Sequence, residues 1–253
     1  MVGIDLDDYK SQQMDRRIHS LMQSWDVDNY DLFLDILKTN PLRYKDFVKK
    51  LTINVSEFFR NPERFEELWR RILPELLANN PNLRIWSAGC SNGAEPYSVA
   101  LIVQELGVAE RVQIFGTDID EMILNKAREG VYDHNDLKNL PPDFLNKYFI
   151  FKNNRFYLND SVKRKVEFLN HNLLKDPFLN SFHLIICRNV VIYFTEEAKR
   201  SLYMKFYDSL LPGGYLLVGG TEPLLSYRQL GFISSSASFY QKPKLVKDER
   251  AMN

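Results

Sequence analysis

Cysteine is scarce in this chain: Cys90 and Cys187 are the only two in 253 residues. They supply neither a disulfide framework nor a metal-ligand spacing, so a reducing, cytoplasmic setting is expected, with both thiols acting as small buried residues. An excess of charge is also missing, since Lys plus Arg and Asp plus Glu stand at 33 each. No global field is available to hold a polyanion, which argues against a nucleic-acid partner beyond a local patch. Apolar stretches such as 184–187 and 215–218 are strand-length, whereas a membrane-crossing helix needs roughly 20 residues, so no membrane insertion is expected. The opening MVGIDLDDYK is acidic and lacks the apolar core of a secretory signal. The four histidines are scattered, and no Cys/His or Ser/His/Asp nucleophile arrangement is visible. What is present is an ordinary hydrophobic content of 45%, enough for one large domain or a medium domain with a small companion.

Apolar residues Tyr9, Met14, Ile18, Leu21 and Met22 recur at three- and four-residue intervals. Tyr30, Leu32, Phe33, Ile36 and Leu37 repeat the pattern after a break at 26–29, so a small helical domain is expected up to about Leu51. Helix resumes with Pro62 in its first turn and ends at Asn79, Asn80 and Pro81. Beyond it, strands near 82–87, 112–117, 166–170, 183–187 and 214–219 alternate with helices near 95–106, 121–129 and 195–211. That alternation argues for an α/β fold with a mostly parallel sheet covered on both faces. Residues 231–241 read as a closing hairpin, and 242–253 as a frayed tail. The run YFIFKNNRFYL at 148–158 carries a hairpin signal where the wound fold requires none; it is either an inserted β-subdomain or an extension of the main sheet.

The segment RIWSAGCSNGAEPYS, residues 84–98, reads as a buried strand, a glycine-bearing turn and a helix start. Its glycines, Gly89 and Gly93, are spaced Gly-x-x-x-Gly, not the Gly-x-Gly-x-x-Gly that seats a pyrophosphate on a helix N-terminus. Glu95 at the helix start favours an ammonium or sulfonium group over phosphates. S-adenosylmethionine fits that description; the alternative is an ordinary β-α turn with a capping carboxylate. Ligands of open α/β folds lie beyond the carboxyl ends of the strands. There Asp118 is a candidate for the ribose hydroxyls, and Asp120 for the N-cap of the next helix. Asn172 and Leu173 suit an adenine edge and face, unless Asn172 merely forms a turn. After the fourth strand comes CRNVVIYF, without the Asn/Asp-Pro-Pro-aromatic turn of methyltransferases that act on base or amide nitrogen. A carboxylate acceptor, with a reference pKa of about 4.3 for Glu, is already ionised and needs alignment rather than a general base.

Taken in order, TINVSEFFRNPERF, WSAGCSNGAEPYS, GTDID, HNLL and CRNVVIYF resemble the CheR family of chemotaxis receptor methyltransferases over nearly the whole chain. NVSEFFR and CRNVVIYF are the most specific parts. The resemblance implies an S-adenosylmethionine-dependent, Rossmann-like methyltransferase domain over 56–253 with an inserted β-subdomain, preceded by an all-helical domain over 1–55. It implies methyl transfer from S-adenosyl-L-methionine to glutamate side chains on the cytoplasmic helical bundle of methyl-accepting chemotaxis receptors, leaving S-adenosyl-L-homocysteine. A cytoplasmic monomer is expected. Carried over by position, cofactor contacts fall on Asn54, Ser56, Arg60, Glu95, Asp118, Asn172, Leu173, Asn189 and Val190. Arg60 and Tyr193 match the catalytic pair beside the methyl group, Arg60 holding the acceptor carboxylate and Tyr193 orienting it. Lys10, Arg16 and Arg17 match a basic helix that touches the receptor, although residues 1–55 hold 8 basic and 9 acidic side chains, so any attraction is local. Asn92 and Ala94 depart from a threonine and a glutamate common in the family's turn. The rival readings are a catalytically degenerate S-adenosylmethionine sensor or receptor-array scaffold, and a methyltransferase for RNA or a small molecule.

Overall fold

The computed structural model describes residues 6–51 and 56–244. A 3-10 turn at Leu6–Asp8 leads into helices α1 (Ser11–Ser24), α2 (Tyr30–Thr39) and α3 (Pro41–Leu51). α1 ends where Asp26 takes a left-handed φ of 57°, and the Asn29 side chain caps α2 by accepting from the Leu32 N–H at 2.8 Å. Leu21, Met22, Val27 and Phe33 form a small core among these helices. Tyr9 departs from the expected helical pattern. It lies ahead of α1 and pairs as an isolated antiparallel bridge with Phe194, their rings meeting edge to face at 5.1 Å.

Helix α4 (Pro62–Glu67) continues through a π-helical stretch, Leu68–Ile72, into α5 (Leu73–Asn79). The widened turn has a local cause. Pro74 has no N–H to offer the preceding turn, and the Leu73 N–H reaches back five residues to the Leu68 carbonyl. Then follow β1 (Leu83–Ala88), α6 (Ala94–Glu105), β2 (Val112–Asp118) and α7 (Glu121–Glu129), the last capped by Asp120 as expected. Next come β3 (Val131–Tyr132), α8 (Pro142–Tyr148), β4 (Phe149–Lys152), β5 (Arg155–Leu158) and the short α9 (Asp160–Lys163). Asn153 and Asn154 both have positive φ, 52° and 57°, the twist a two-residue hairpin turn requires. This hairpin pairs with β3 in a three-stranded sheet of its own, not with the main sheet.

The chain closes with β6 (Val166–Asn170), β7 (Phe182–Cys187), α10 (Glu196–Ser209), β8 (Leu210–Val218), β9 (Ile233–Ser234) and β10 (Phe239–Gln241). Helix α10 stops two residues short of the expected 211, because β8 begins at Leu210 and pairs there with Phe182 before a register shift. The main sheet runs β6-β2-β1-β7-β8-β10-β9, parallel up to β8 and antiparallel thereafter. One core on the α6 side gathers Ile85, Leu101 and Phe58, and another on the α10 side gathers Trp86, Ile185 and Phe206. Trp86 is fully buried and satisfies its ring N–H on Thr117 Oγ1 at 2.9 Å.

Register places the site. Ala88 lies opposite Thr117, Asp118 opposite Asn170, and Cys187 opposite Val218, so the carboxyl ends of the parallel strands stand level. The chain moves from β1 outward to β2 and β6, then crosses back to β7 on the other side of β1. The crevice of a doubly wound sheet opens at that reversal, between the ends of β1 and β7.

Candidate active site

The turn after β1 contains three left-handed residues, Gly89 (φ 80°), Ser91 (φ 51°) and Gly93 (φ 82°). Gly89 and Cys90 both donate to the Thr117 carbonyl at 2.8 Å, and the Ser91 N–H donates to Asp118 Oδ2 at 2.9 Å. Across the crevice stands Val190, so close that a Cβ on Gly89 would sit 2.4 Å from Val190 Cγ2. Glycine at 89 therefore serves two needs, a positive φ and close approach to the β7 loop. Asn92, one of the family departures, donates to Asp136 Oδ1 at 3.0 Å, tying this turn to the loop ahead of α8.

Asp118 ends β2 with Oδ1 accepting from the Asp120 N–H at 3.0 Å and Oδ2 engaged by Ser91. Burial pushes its carboxyl up to about 6 despite these amide contacts. Asn172 is half-buried. Its Oδ1 accepts from the Leu174 N–H at 3.0 Å, the turn-forming arrangement that its sequence left open, and Leu173 packs into the α10-side core. Asn172 also borders a cleft of about 620 Å³ at the ends of β2 and β6, walled on the other side by Tyr44 and Val48 of α3.

Glu95 opens α6 with Ser87 Oγ donating to Oε1 at 2.8 Å and Arg188 Nη1 lying 3.3 Å from Oε2. Burial raises its pKa, and the Arg188 charge opposes that rise. The pair is deep, with side chains 2% exposed for Arg188 and 12% for Glu95. Arg188 also donates through Nη2 to the Arg60 carbonyl at 2.8 Å and to Asn61 Oδ1 at 2.6 Å, while its guanidinium lies 5.5 Å from the centroid of Phe65. Sequence reasoning passed over this arginine, whose signal was a cation directly following an apolar strand.

Arg60 sits between two left-handed residues, Phe59 (φ 52°) and Asn61 (φ 59°). A positive φ at phenylalanine is strained, and the surroundings hold it: Phe58 and Phe59 are buried, and their N–H groups donate to the Asp136 carbonyl at 2.8 Å and to Ser98 Oγ at 2.9 Å. Ser56 is half-buried two residues before Phe58, whereas Asn54 lies outside the described residues.

Beyond Arg188, Asn189 (φ 60°) and Val190 lead into a 3-10 helix, Val191–Tyr193. Both oxygens of buried Glu222 hold this loop, Oε2 accepting from the Asn189 N–H at 2.7 Å and Oε1 from the Ile192 N–H at 3.0 Å. Tyr193 is stacked by the Arg17 guanidinium, 4.4 Å from its ring centroid, and its carbonyl accepts from the Lys10 N–H at 2.9 Å. Lys10 precedes α1, so it does not share a helix face with Arg17 as the seven-residue spacing suggests; Arg16 is exposed. The expected residues from β1, β2 and β7 thus gather at one crevice, and Arg188 joins the Arg60 turn to them.

Residues 1–52 match the family model described as CheR methyltransferase, all-alpha domain, and residues 54–239 match CheR methyltransferase, SAM binding domain. The chain belongs to the CheR methyltransferase family. A chemotaxis protein methyltransferase of Listeria innocua is 37% identical over 95% of this chain and 92% of its own length. One from Pseudomonas aeruginosa, chemotaxis protein methyltransferase 1, is 35% identical over 88% of this chain and 85% of its own length. Among solved structures, a TehB-like SAM-dependent methyltransferase from Corynebacterium glutamicum aligns at a TM-score of 0.38 and 13% identity, over 71% of this chain and 94% of that one. The chain is a methyltransferase whose methyl donor is S-adenosylmethionine.

The residues present fit that donor. Ser91 Oγ is buried in the turn without a protein partner, a polar atom suited to a polar ligand. Gly89 leaves its Cβ space against Val190, and Asp118, engaged by the Ser91, Asp120 and Ile119 amides, has capacity for a further donor among the roughly four lone-pair sites of a carboxylate. Among the described residues, no helix is long and apolar enough to cross a membrane.

Proposed function

We propose that this chain methylates glutamate side chains on the cytoplasmic helical region of chemoreceptors, forming glutamate methyl esters and S-adenosyl-L-homocysteine in chemotactic adaptation. The observation that carries the reading is the bridge made by Arg188, which bonds both to Glu95 and to the Arg60 turn. It links the cofactor side of the crevice to a second cation suited to an acceptor carboxylate. In this assignment Asn54, Ser56, Arg60, Glu95, Asp118, Asn172, Leu173, Asn189 and Val190 hold the donor, which supplies an electrophilic sulfonium methyl. Arg60 pairs with the acceptor carboxylate and Tyr193 orients it through its hydroxyl. An ionised carboxylate needs no base; alignment and exclusion of water lower the barrier.

The basic residues of the N-terminal region take different places in this reading. Arg16 is exposed and suits an acidic helical surface, whereas Arg17, stacked on Tyr193, joins the docking helix to the reaction centre. Lys10 anchors the approach through its backbone.

The test is incubation of purified protein with labelled cofactor and receptor cytoplasmic fragments, followed by alkali treatment and peptide mapping. Base-labile label released as methanol from acidic helical peptides is expected, and Arg60→Ala should lose most of it. Absence of volatile methanol, with cofactor binding intact, would overturn the assignment of the acceptor.

A further inference from the structure

Glu222 is a buried carboxylate that the reaction outlined above does not use. It lies four residues beyond β8, 6% exposed, and both of its oxygens accept from backbone N–H groups of a different loop. Those two groups, on Asn189 and Ile192, hold the loop that presents Asn189 and Val190 and leads directly into Tyr193. Asn189 takes a left-handed conformation with φ 60°, a region asparagine tolerates better than most residues, and its N–H in that conformation is directed to Glu222 Oε2 at 2.7 Å. Ile192 lies within the 3-10 helix, where N–H groups at the start have no partner inside the helix. A single carboxylate supplies both missing acceptors.

The strand end is shaped around this contact. The Glu222 N–H closes a turn on the Gly219 carbonyl at 3.1 Å, and a Cβ at Gly219 would lie 2.5 Å from Glu222 Oε2 and 3.1 Å from the Asn189 nitrogen. Glycine at 219 is therefore what lets the carboxylate reach Asn189. Burial pushes the Glu222 carboxyl up, while the Asn189, Ile192 and Gly219 N–H contacts and the Arg188 charge favour its ionised form.

We propose that Glu222 is the positioning residue of the methyl-transfer site, clamping the 189–193 loop so that the cofactor contacts Asn189 and Val190 and the acceptor-orienting Tyr193 are presented together. The inference rests on the reading that this loop lines the site. Glu222 touches neither donor nor acceptor; it acts through the loop.

Two substitutions break the clamp from opposite sides. Glu222→Gln replaces one acceptor oxygen with an NH2 group that cannot accept, and Gly219→Ala pushes the intact carboxylate off Asn189. Each is compared with wild type by calorimetric titration of S-adenosylhomocysteine, by turnover at saturating cofactor and receptor fragment, and by thermal melting. Both variants should fold, bind S-adenosylhomocysteine about tenfold more weakly, and turn over about a hundredfold more slowly, as expected for loss of one charge-assisted bond and for a displacement of about 1 Å at the reacting groups. The acceptor KM should change by a smaller factor than turnover, because exposed Arg16 on α1 still meets the fragment while the reacting groups lose their alignment. Combining Glu222→Gln with Tyr193→Phe should cost less than the product of the two single effects, since both act through one group. Affinity and turnover within about twofold of wild type in both folded variants would overturn the proposal, as would fully multiplicative effects in the double variant. The calorimetric comparison needs no acceptor, so it decides the role of Glu222 even if glutamate is the wrong substrate.

Discussion

Replacing Arg188 with methionine removes the cation from a nearly solvent-free crevice while keeping most of the side-chain volume. Three acceptors lose a donor: Glu95 Oε2, the Arg60 carbonyl and Asn61 Oδ1, at 3.3, 2.8 and 2.6 Å. Breaking a buried ion pair by removing one partner costs about 3–5 kcal/mol, most of it the penalty of the charge left behind. Here the stranded charge is Glu95, which retains one bond from Ser87 Oγ at 2.8 Å. Burial already raises its pKa and Arg188 is the largest influence opposing that rise, so without the arginine Glu95 takes up a proton at higher pH. Protonation caps the loss. We therefore expect R188M to lose about 3 kcal/mol near pH 7.5, a drop of roughly 6–12 °C in melting temperature for a chain of this size. A carboxyl whose folded pKa lies above its unfolded value contributes stability at low pH and loses it as pH rises through the folded pKa. The deficit should accordingly shrink as pH falls, and R188M/E95Q should recover at least about 1 kcal/mol relative to R188M at the higher pH. Urea unfolding of wild type, the two single variants and the double variant measures all four corners of the cycle. A loss below about 1 kcal/mol in R188M, or strictly additive effects, would show that the pair does not hold the crevice together.

Asp118 should make cofactor binding pH-dependent. Its carboxyl is pushed up by burial to about 6, so the protonated form dominates below that pH, and S-adenosylhomocysteine affinity should rise as pH climbs through about 6 and the acceptor form appears. Apo-protein stability from this group runs the opposite way, present near pH 4 and lost by about 6; calorimetry and melts on Asp118→Asn should show neither slope, and an unchanged affinity slope would remove the ribose role. Gly89→Ala forces a Cβ to 2.4 Å from Val190 Cγ2 at a φ of 80°. It should cost about 1–2 kcal/mol in urea unfolding and weaken cofactor binding about tenfold, and wild-type affinity in a folded variant would show that the contact between Gly89 and Val190 does not shape the site.

What could be read from the sequence and what could not divide along one physical line. Strands β1, β2, β6 and β7 were legible because each is a short apolar run bounded by turn residues, and the spacing of those runs implied a parallel sheet whose ends must hold the ligand. The Asp120 cap and the Asn153–Asn154 hairpin were legible for the same reason, since cap and turn chemistry act within a few residues. The π-helical stretch was not, because a proline in an otherwise helical pattern tells that the ladder is interrupted without telling how the preceding turn adapts. Tyr9 was assigned to a helix because an apolar residue just ahead of an amphipathic pattern looks like a member of it; its partner, Phe194, stands at the far side of the chain. Glu222 and Arg188 passed unnoticed on the same grounds. A buried charge reveals itself by its partners, and these lie 33 residues away for Glu222 and Asn189, and 93 for Arg188 and Glu95. Local pattern could place the groups at the strand ends, but only the folded register joins the charges that hold them. An asparagine such as Asn172 marks the boundary: the same side chain serves equally well as a turn former or a ligand contact, and in the folded chain its oxygen is already engaged by Leu174. Any adenine contact it makes therefore has to use the amide nitrogen or a second lone pair, a narrower role than the sequence alone allowed.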